Sequence, residues 1–203
     1  MLHPPAVQSW RGYTNDPNAA DHKSTEFGWS VMPGGSNKQR SARALRRPFR
    51  LSAWESTAGS IFFDAHVRLF LRVAWSEAWH QFPSACSAML AATPEAYRLE
   101  GTGFTKVTLA INNPTPLHFD DNNFGITILV CVDLDGDLDG GSHLICDFNF
   151  EAAVLVHTDS VGIWLLGDYR RILHANAATK KGRRFIFTAY CSKSLVDLTS
   201  SHG

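Results

Sequence analysis

The sequence is poor in cysteine: Cys86, Cys131, Cys146 and Cys191 are widely spaced and form no CxxC pair. That excludes a thiolate zinc finger and a disulfide-stapled scaffold, and predicts four reduced thiols acting as small core residues. Also missing is any run of about 18 uninterrupted apolar residues, so no segment has the pattern of a membrane span. The opening residues MLHPPAVQSWRGY lack the basic start, apolar middle and small-residue cleavage site of a secretory signal. The expectation is an intracellular protein, nuclear or cytoplasmic, and the abrupt opening reads as a piece of a longer chain. Net charge is absent as well, with 19 Lys and Arg against 19 Asp and Glu. No whole-molecule field therefore draws the protein to a polyanion.

What is present fits a folded domain. Of the 203 residues, 44% are apolar and 19% charged, enough for one sizeable core and too apolar for a disordered chain. Three zones follow one another. Residues 1–57 are interrupted by Pro4, Pro5, Pro17, Pro33, Gly34, Gly35 and Pro48, which predicts an irregular extension of loops and short pieces. Within it, residues 38–50 read KQRSARALRRPFR, six cations without an acid. Such a run is either a nucleic-acid contact or a solvated loop. The domain proper is expected over 58–203. Its first part, 58–103, is helical: Phe62, Leu69, Val73 and Trp79 form an apolar stripe at near-helical spacing. A second helix is expected from Pro83 to about Ala92, with Ser84 as its cap and Pro94 limiting its end.

The β core is expected over 104–195. FTKVTLAIN alternates, FGITILVCVD is a β-branched run, and SHLICDF, AAVLVH, VGIWLL, RILHA and RRFIFTAYC follow, separated by Asp-Gly, Gly-Gly and Lys-Gly turns. Strands that follow one another with few helical interruptions predict a mainly β domain buttressed by helices (α+β), a sandwich or a jelly roll. The run DLDGDLDGG alternates acids at Asp133, Asp135, Asp137 and Asp139, but Leu144 stands where a calcium loop needs glutamate, so a turn is expected there.

Chemistry concentrates at His118, Asp120 and His174. Residues two apart on a strand share a face, so His118 and Asp120 can ligate one ion, and a strand returning some fifty residues later can bring His174 to them. Two imidazoles and a carboxylate on one face of an octahedral ion suit iron(II) with open positions for other ligands, whereas zinc favours closed tetrahedral sites. Arg184 lies in the last strand. Alternation groups it with Ile186, Thr188 and Tyr190, facing inward, where a buried cation calls for a carboxylate; Arg183 then faces outward. Asp121, Asn122 and Asn123 near the metal mouth suit either substrate contacts or a turn. His143 and His157 are further candidate contacts or ordinary half-buried histidines.

These residues resemble the iron(II)/2-oxoglutarate dioxygenases over roughly residues 104–195: HFD, Gly140-Gly141, the Gly-Asp turn before His174, and Arg184 ten residues after it. Within that superfamily TKVTLAINNPTPLHFDDNNFG, LDGDLDGGSHL and GRRFIFTAYCSKSL look most similar to the TET/JBP group, and to its algal branch that modifies 5-methylcytosine, one member of which uses ascorbate. The resemblance implies a double-stranded β-helix (cupin-like jelly roll). It implies Fe(II) on His118, Asp120 and His174, Arg184 clamping the carboxylate of 2-oxoglutarate or the oxyanion of ascorbate, and Asn112 lining that pocket, where the residue itself reads equally as a side chain satisfying a strand-end backbone group. O₂ would be the oxidant and DNA the partner, with no membrane involved. The family often carries Ser or Thr two positions after the arginine, and Ile186 stands here instead. A protein or small-molecule hydroxylase of the same superfamily, and a non-catalytic cupin-like module, are the alternative expectations.

Overall fold

A computed structural model describes residues 23–31, 42–45, 60–146, 153–158 and 162–200. The strands expected from alternation are present as β3 (Lys106–Ile111), β5 (Asn123–Asp133), β7 (His143–Cys146), β8 (Ala153–Val156), β9 (Ile163–Gly167), β10 (Leu173–Asn176) and β12 (Arg184–Ser192). Four short or preceding strands join them: β1 (Lys23–Val31), β2 (Ala42–Leu45), β4 (Thr115–His118) and β6 (Asp139–Gly140). A further short strand, β11 (Thr179–Lys181), pairs with β6 as a two-stranded ribbon. The large sheet runs β2-β1-β3-β12-β5-β9 and the small sheet β4-β10-β7-β8, with every pairing antiparallel. From β3 onward the chain passes from large sheet to small and back, the winding of a double-stranded β-helix.

Period-two alternation divides the large sheet's labour. Val107, Leu109, Ile128, Val130, Phe187 and Ala189 pack on one face with Leu71, Ala74 and Ala78 of α1 (Ser60–Gln81) and Cys86 and Met89 of α2 (Pro83–Ala92). Ala110, Leu129, Cys131 and Ile186 form a second cluster with Tyr169 on the opposite, inner face. Phe70 meets Phe187 at 5.5 Å between ring centroids, and Trp75 meets Phe104 edge-on at 5.1 Å. These aromatic contacts lock helix to sheet.

Three expectations need correction. In α1 the buried face is Leu71, Ala74 and Ala78, whereas Leu69, Val73 and Trp79 are exposed, and the side chain of Phe62 lies outside the described set. Helix and sheet approach closely through two alanines, whose weak apolar signal let the larger residues on the opposite face dominate the pattern. Ser84 does not cap α2: Phe82 precedes the helix and Pro83 opens it, a position that needs no N–H partner. The first zone is not wholly irregular, because β1 pairs with β3 over six residue pairs and extends the large sheet. Of the basic segment 38–50, residues 42–45 are the described part, as β2. All four cysteines are free, three of them buried and Cys146 half-buried.

Leu71 is 2% exposed and Leu69 61%. Leu71→Ala is therefore expected to destabilise by about 2–5 kcal/mol and Leu69→Ala by no more than about 0.5 kcal/mol, read by urea unfolding. Equal losses would contradict the face assignment.

Candidate metal centre

Strand β4 is an edge strand of the small sheet, where Pro116 breaks no ladder on its free side. Its last residue, His118, is the cross-strand partner of His174 on β10, and the two rings lie 4.2 Å apart. The register shifts between His174 and Asn176, a bulge of the kind that re-aims side chains. His118 Nδ1 donates to the carbonyl of Pro116 at 2.7 Å, and His174 Nδ1 to that of Ile172 at 2.9 Å. A carbonyl only accepts, so each Nδ1 carries its proton and each Nε2 presents a lone pair.

Asp120 comes from the turn after β4, two residues past its end, and not from the strand itself as the spacing suggested. Its N–H donates to the carbonyl of Tyr169 at 3.0 Å. Asp120 Oδ2 accepts from Asn123 Nδ2 at 2.9 Å, which leaves Oδ1 3.4 Å from His118 Nε2 and 3.9 Å from His174 Nε2. One ligand atom from each of the three residues falls within 4.8 Å of the others. Two tautomer-fixed imidazoles and one half-committed carboxylate fit a divalent ion bound on one face. Among common sites, this donor set is that of non-haem iron.

Tyr169, silent in the sequence as a site residue, is buried and holds both Asp120 through its carbonyl and His174 through its ring, edge-on at 4.6 Å. Burial, and then the charge of His118, pull the His174 pKa down to about 4. Burial also lowers His143. For His118, burial acts downward but is outweighed by the hydrogen bond to Asp120 and the Pro116 carbonyl, and the net shift is upward. An incoming cation must displace that proton, so metal affinity falls as pH drops.

Arg184 has no solvent exposure and Arg183 faces outward onto Asp135, in the register that alternation predicted. Arg184 Nη1 donates to the carbonyl of Gly141 and Nη2 to that of Asn113 at 3.1 Å, while Nε is buried without a partner. Among the described residues no carboxylate forms an ion pair with it, and burial lowers its pKa. A desolvated cation satisfied by two carbonyls calls for an anion.

Asn112 is not among the residues that wall the cavity over the triad. Its φ of 51° ends β3, its Oδ1 accepts the Arg184 N–H at 2.7 Å and its Nδ2 donates to the Gly182 carbonyl at 3.1 Å. Both side-chain atoms satisfy backbone groups. Asn123 is buried at the wall of the cavity, and its Nδ2 donates to Asp120 Oδ2 and to Thr127 Oγ1, so its amide orients the carboxylate. Asn122 ties down Ser192 and the N–H of Ser194 in α3 (Lys193–Ser200), and Asp121 stands exposed at the rim. His143 is 1% exposed, donates to Asn176 Oδ1 at 2.9 Å, and leaves its Nε2 buried without a partner. His157 pairs with Ser142. In the acidic run Asp133 accepts three backbone N–H groups, while Asp135 and Asp137 bridge Arg183 and Lys181. That run is a closed turn.

Above the triad opens a cavity of about 530 Å³, walled by Ile186, Thr188 and Tyr190 of β12 and Thr108 and Ala110 of β3. Arg184 precedes these residues on the same face of β12 but is not itself part of the cavity wall.

No protein-family model matches the chain, and no curated protein matches it. Solved structures do. NgTET1 in complex with 5mC DNA has a TM-score of 0.55 at 13% identity, over 84% of this chain and 61% of that one. A 2OG-Fe(II) oxygenase family oxidoreductase from Burkholderia pseudomallei gives 0.35 at 11% identity, over 44% and 43% of the two chains. A Trichoplax adhaerens prolyl hydroxylase, bound to a hypoxia inducible factor oxygen degradation domain peptide fragment, gives 0.36 at 21%, over 48% of each. The chain thus spans between 43% and 61% of the lengths of these proteins. Its fold is the double-stranded β-helix, as the likeness to NgTET1 shows and the strand order requires.

Between about pH 6.5 and 4 the unfolded chain takes up a proton at His174 that the folded, metal-free protein refuses, so stability falls as pH falls through that window. His143 acts in the same direction and His118 opposes it. Thermal melts of metal-free protein should show the decline, and His174→Asn should flatten it; an unchanged profile would contradict the buried neutral imidazole.

Proposed function

We propose that this chain is an iron(II)-dependent dioxygenase that uses 2-oxoglutarate and O₂ to hydroxylate a methyl group on a nucleobase, with 5-methylcytosine in DNA as the substrate. The observation that carries it is the convergence of His118 Nε2, His174 Nε2 and Asp120 Oδ1 in the wall of an open cavity, with the acid-less Arg184 buried on β12 of the large sheet. Iron(II) held by these three residues would supply the oxidising power for attack on an unactivated C–H bond once co-substrate and O₂ are bound.

The chain's own residues prepare that chemistry. The Pro116 and Ile172 carbonyls hold both imidazoles in the ligating tautomer, and Asn123 keeps one oxygen of Asp120 aimed at the metal. Arg184 is the clamp for the co-substrate's remote carboxylate. The unpartnered Nε2 of His143 adds a buried acceptor beside the triad, its ring 5.6 Å from that of His174. Ala110, Leu129 and Ile186 line the inner wall and exclude water from the reacting centre. Ascorbate is the alternative co-substrate, since Ile186 replaces the hydroxyl that the resemblance expects beside the arginine. Support for DNA comes from the shared fold with NgTET1, seen in complex with 5mC DNA, and from the six cations of residues 38–50.

Purified protein given iron(II), a reductant and 2-oxoglutarate is expected to convert methylated duplex DNA to an oxidised base, detected by mass spectrometry of digested nucleosides. His118→Ala and Asp120→Ala should abolish it, and Asn123→Val should weaken iron affinity by about 10–100-fold. No new base with either 2-oxoglutarate or ascorbate would rule out the DNA substrate. Full iron binding by His118→Ala would rule out the metal site.

A further inference from the structure

The turn that carries Asp120 is held by the connection between β9 and β10. There residues 168–171 form a turn of their own, the Arg171 N–H donating to the Asp168 carbonyl at 2.9 Å. The Tyr169 carbonyl of the same turn accepts the N–H of Asp120, whose side chain walls the cavity. Two cations share one acid in this turn. Arg170 takes both oxygens of Asp168, Nε to Oδ1 and Nη2 to Oδ2 at 2.9 Å each, and its guanidinium lies 5.7 Å over the Phe124 ring. Asp168 is thereby committed. Arg171 is left with a 3.6 Å approach of Nε to Asp168 Oδ2, and its side chain is 77% exposed. Every other arginine whose side chain is described, Arg68, Arg72, Arg98, Arg170, Arg183 and Arg184, makes a polar contact of 3.1 Å or closer. Lys193, which meets the Asp120 turn through the Asn122 carbonyl, has its Nζ on Asp197 at 2.6 Å.

A base that enters the cavity leaves its stack by rotating about its own backbone, so the phosphates on either side of it stay outside, at the mouth. A guanidinium without a close acid suits such a phosphate, since its planar fork can donate to two oxygens at once. We propose that Arg171 anchors a backbone phosphate next to the nucleotide whose base enters the cavity. This rests on the nucleobase reading above and deepens it, by naming where the DNA strand is held. One short turn both fixes Asp120 and displays Arg171, so the metal site and the strand are positioned by the same piece of backbone. Arg171 binds the strand and touches no reacting atom.

The test is fluorescence anisotropy of the full chain with a short labelled duplex containing 5-methylcytosine, repeated at salt concentrations from about 50 to 200 mM. Arg171→Gln is expected to weaken binding and to reduce the slope of log affinity against log salt by about one, and Arg171→Lys to keep the parent's slope. Arg72→Gln removes a comparably exposed cation, at 68%, from the helix packed on the sheet face opposite the cavity, and should leave the slope unchanged. Iron affinity of Arg171→Gln should equal the parent's, because a substitution that merely disturbed the turn would loosen Asp120. If the parent binds the duplex and Arg171→Gln keeps its slope, loses iron affinity, or loses no more slope than Arg72→Gln, the anchor is overturned and the nucleobase reading stands. If the parent shows no salt-dependent binding to the duplex, the DNA reading falls and the anchor with it.

Discussion

The cross-strand pairing of His118 on β4 with His174 on β10 is the contact on which the site depends. Edge strand and neighbour bring the two imidazoles to 4.2 Å, tilted against one another, before any metal is considered, and two backbone carbonyls set both tautomers. Asp120 then needs only to reach back from the following turn, where the Tyr169 carbonyl and the Asn123 amide hold it. The convergence of the three candidate ligands is thus mostly a consequence of the small sheet's register, and a slip of one residue on β4 would turn His118 to the opposite face.

The large sheet plays the complementary part. One face is closed by α1 and α2 over a continuous apolar core, which fixes β3, β12 and β5 in place. The other face is left to line the cavity, so rigidity from the helices is passed to Arg184, Ile186, Thr188 and Tyr190 by a single strand. Arg184 can be buried as a cation because the rest of β12 is immobilised, and two carbonyls and the β6–β11 ribbon enclose it. Its lack of an acidic partner among the described residues leaves that cost to be offset by a ligand.

Much of this was legible in the sequence where local periodicity governs. The longer strands β3, β5, β7, β8, β9, β10 and β12 and the inward register of Arg184 follow from alternation, because a strand's two faces are a two-residue property, and the spacing of His118, Asp120 and His174 marks them as candidate ligands. What was illegible depends on contacts between distant segments. The buried face of α1 is made of Leu71, Ala74 and Ala78, and the small size of the two alanines suits a close helix–sheet approach but gives a faint pattern. The position of Asp120 in a turn and the role of Tyr169 arise from tertiary neighbours, and so do the particular backbone groups of Arg184 and Gly182 that Asn112 satisfies at its strand end. For Asn123 the sequence left a substrate contact and a turn both open; its burial against Asp120 and Thr127 is visible only once β5 is in place.

The central claim is that His118, Asp120 and His174 hold one iron beside a carboxylate bound at Arg184. A crystal structure of the full chain grown anaerobically with iron(II) and 2-oxoglutarate tests it most directly. The account predicts one metal ion coordinated by His118 Nε2, His174 Nε2 and Asp120 Oδ1, chelated by the co-substrate, whose remote carboxylate meets Arg184. A metal bound elsewhere, a site bound through either Nδ1, or a 2-oxoglutarate whose remote carboxylate points away from Arg184 would contradict it.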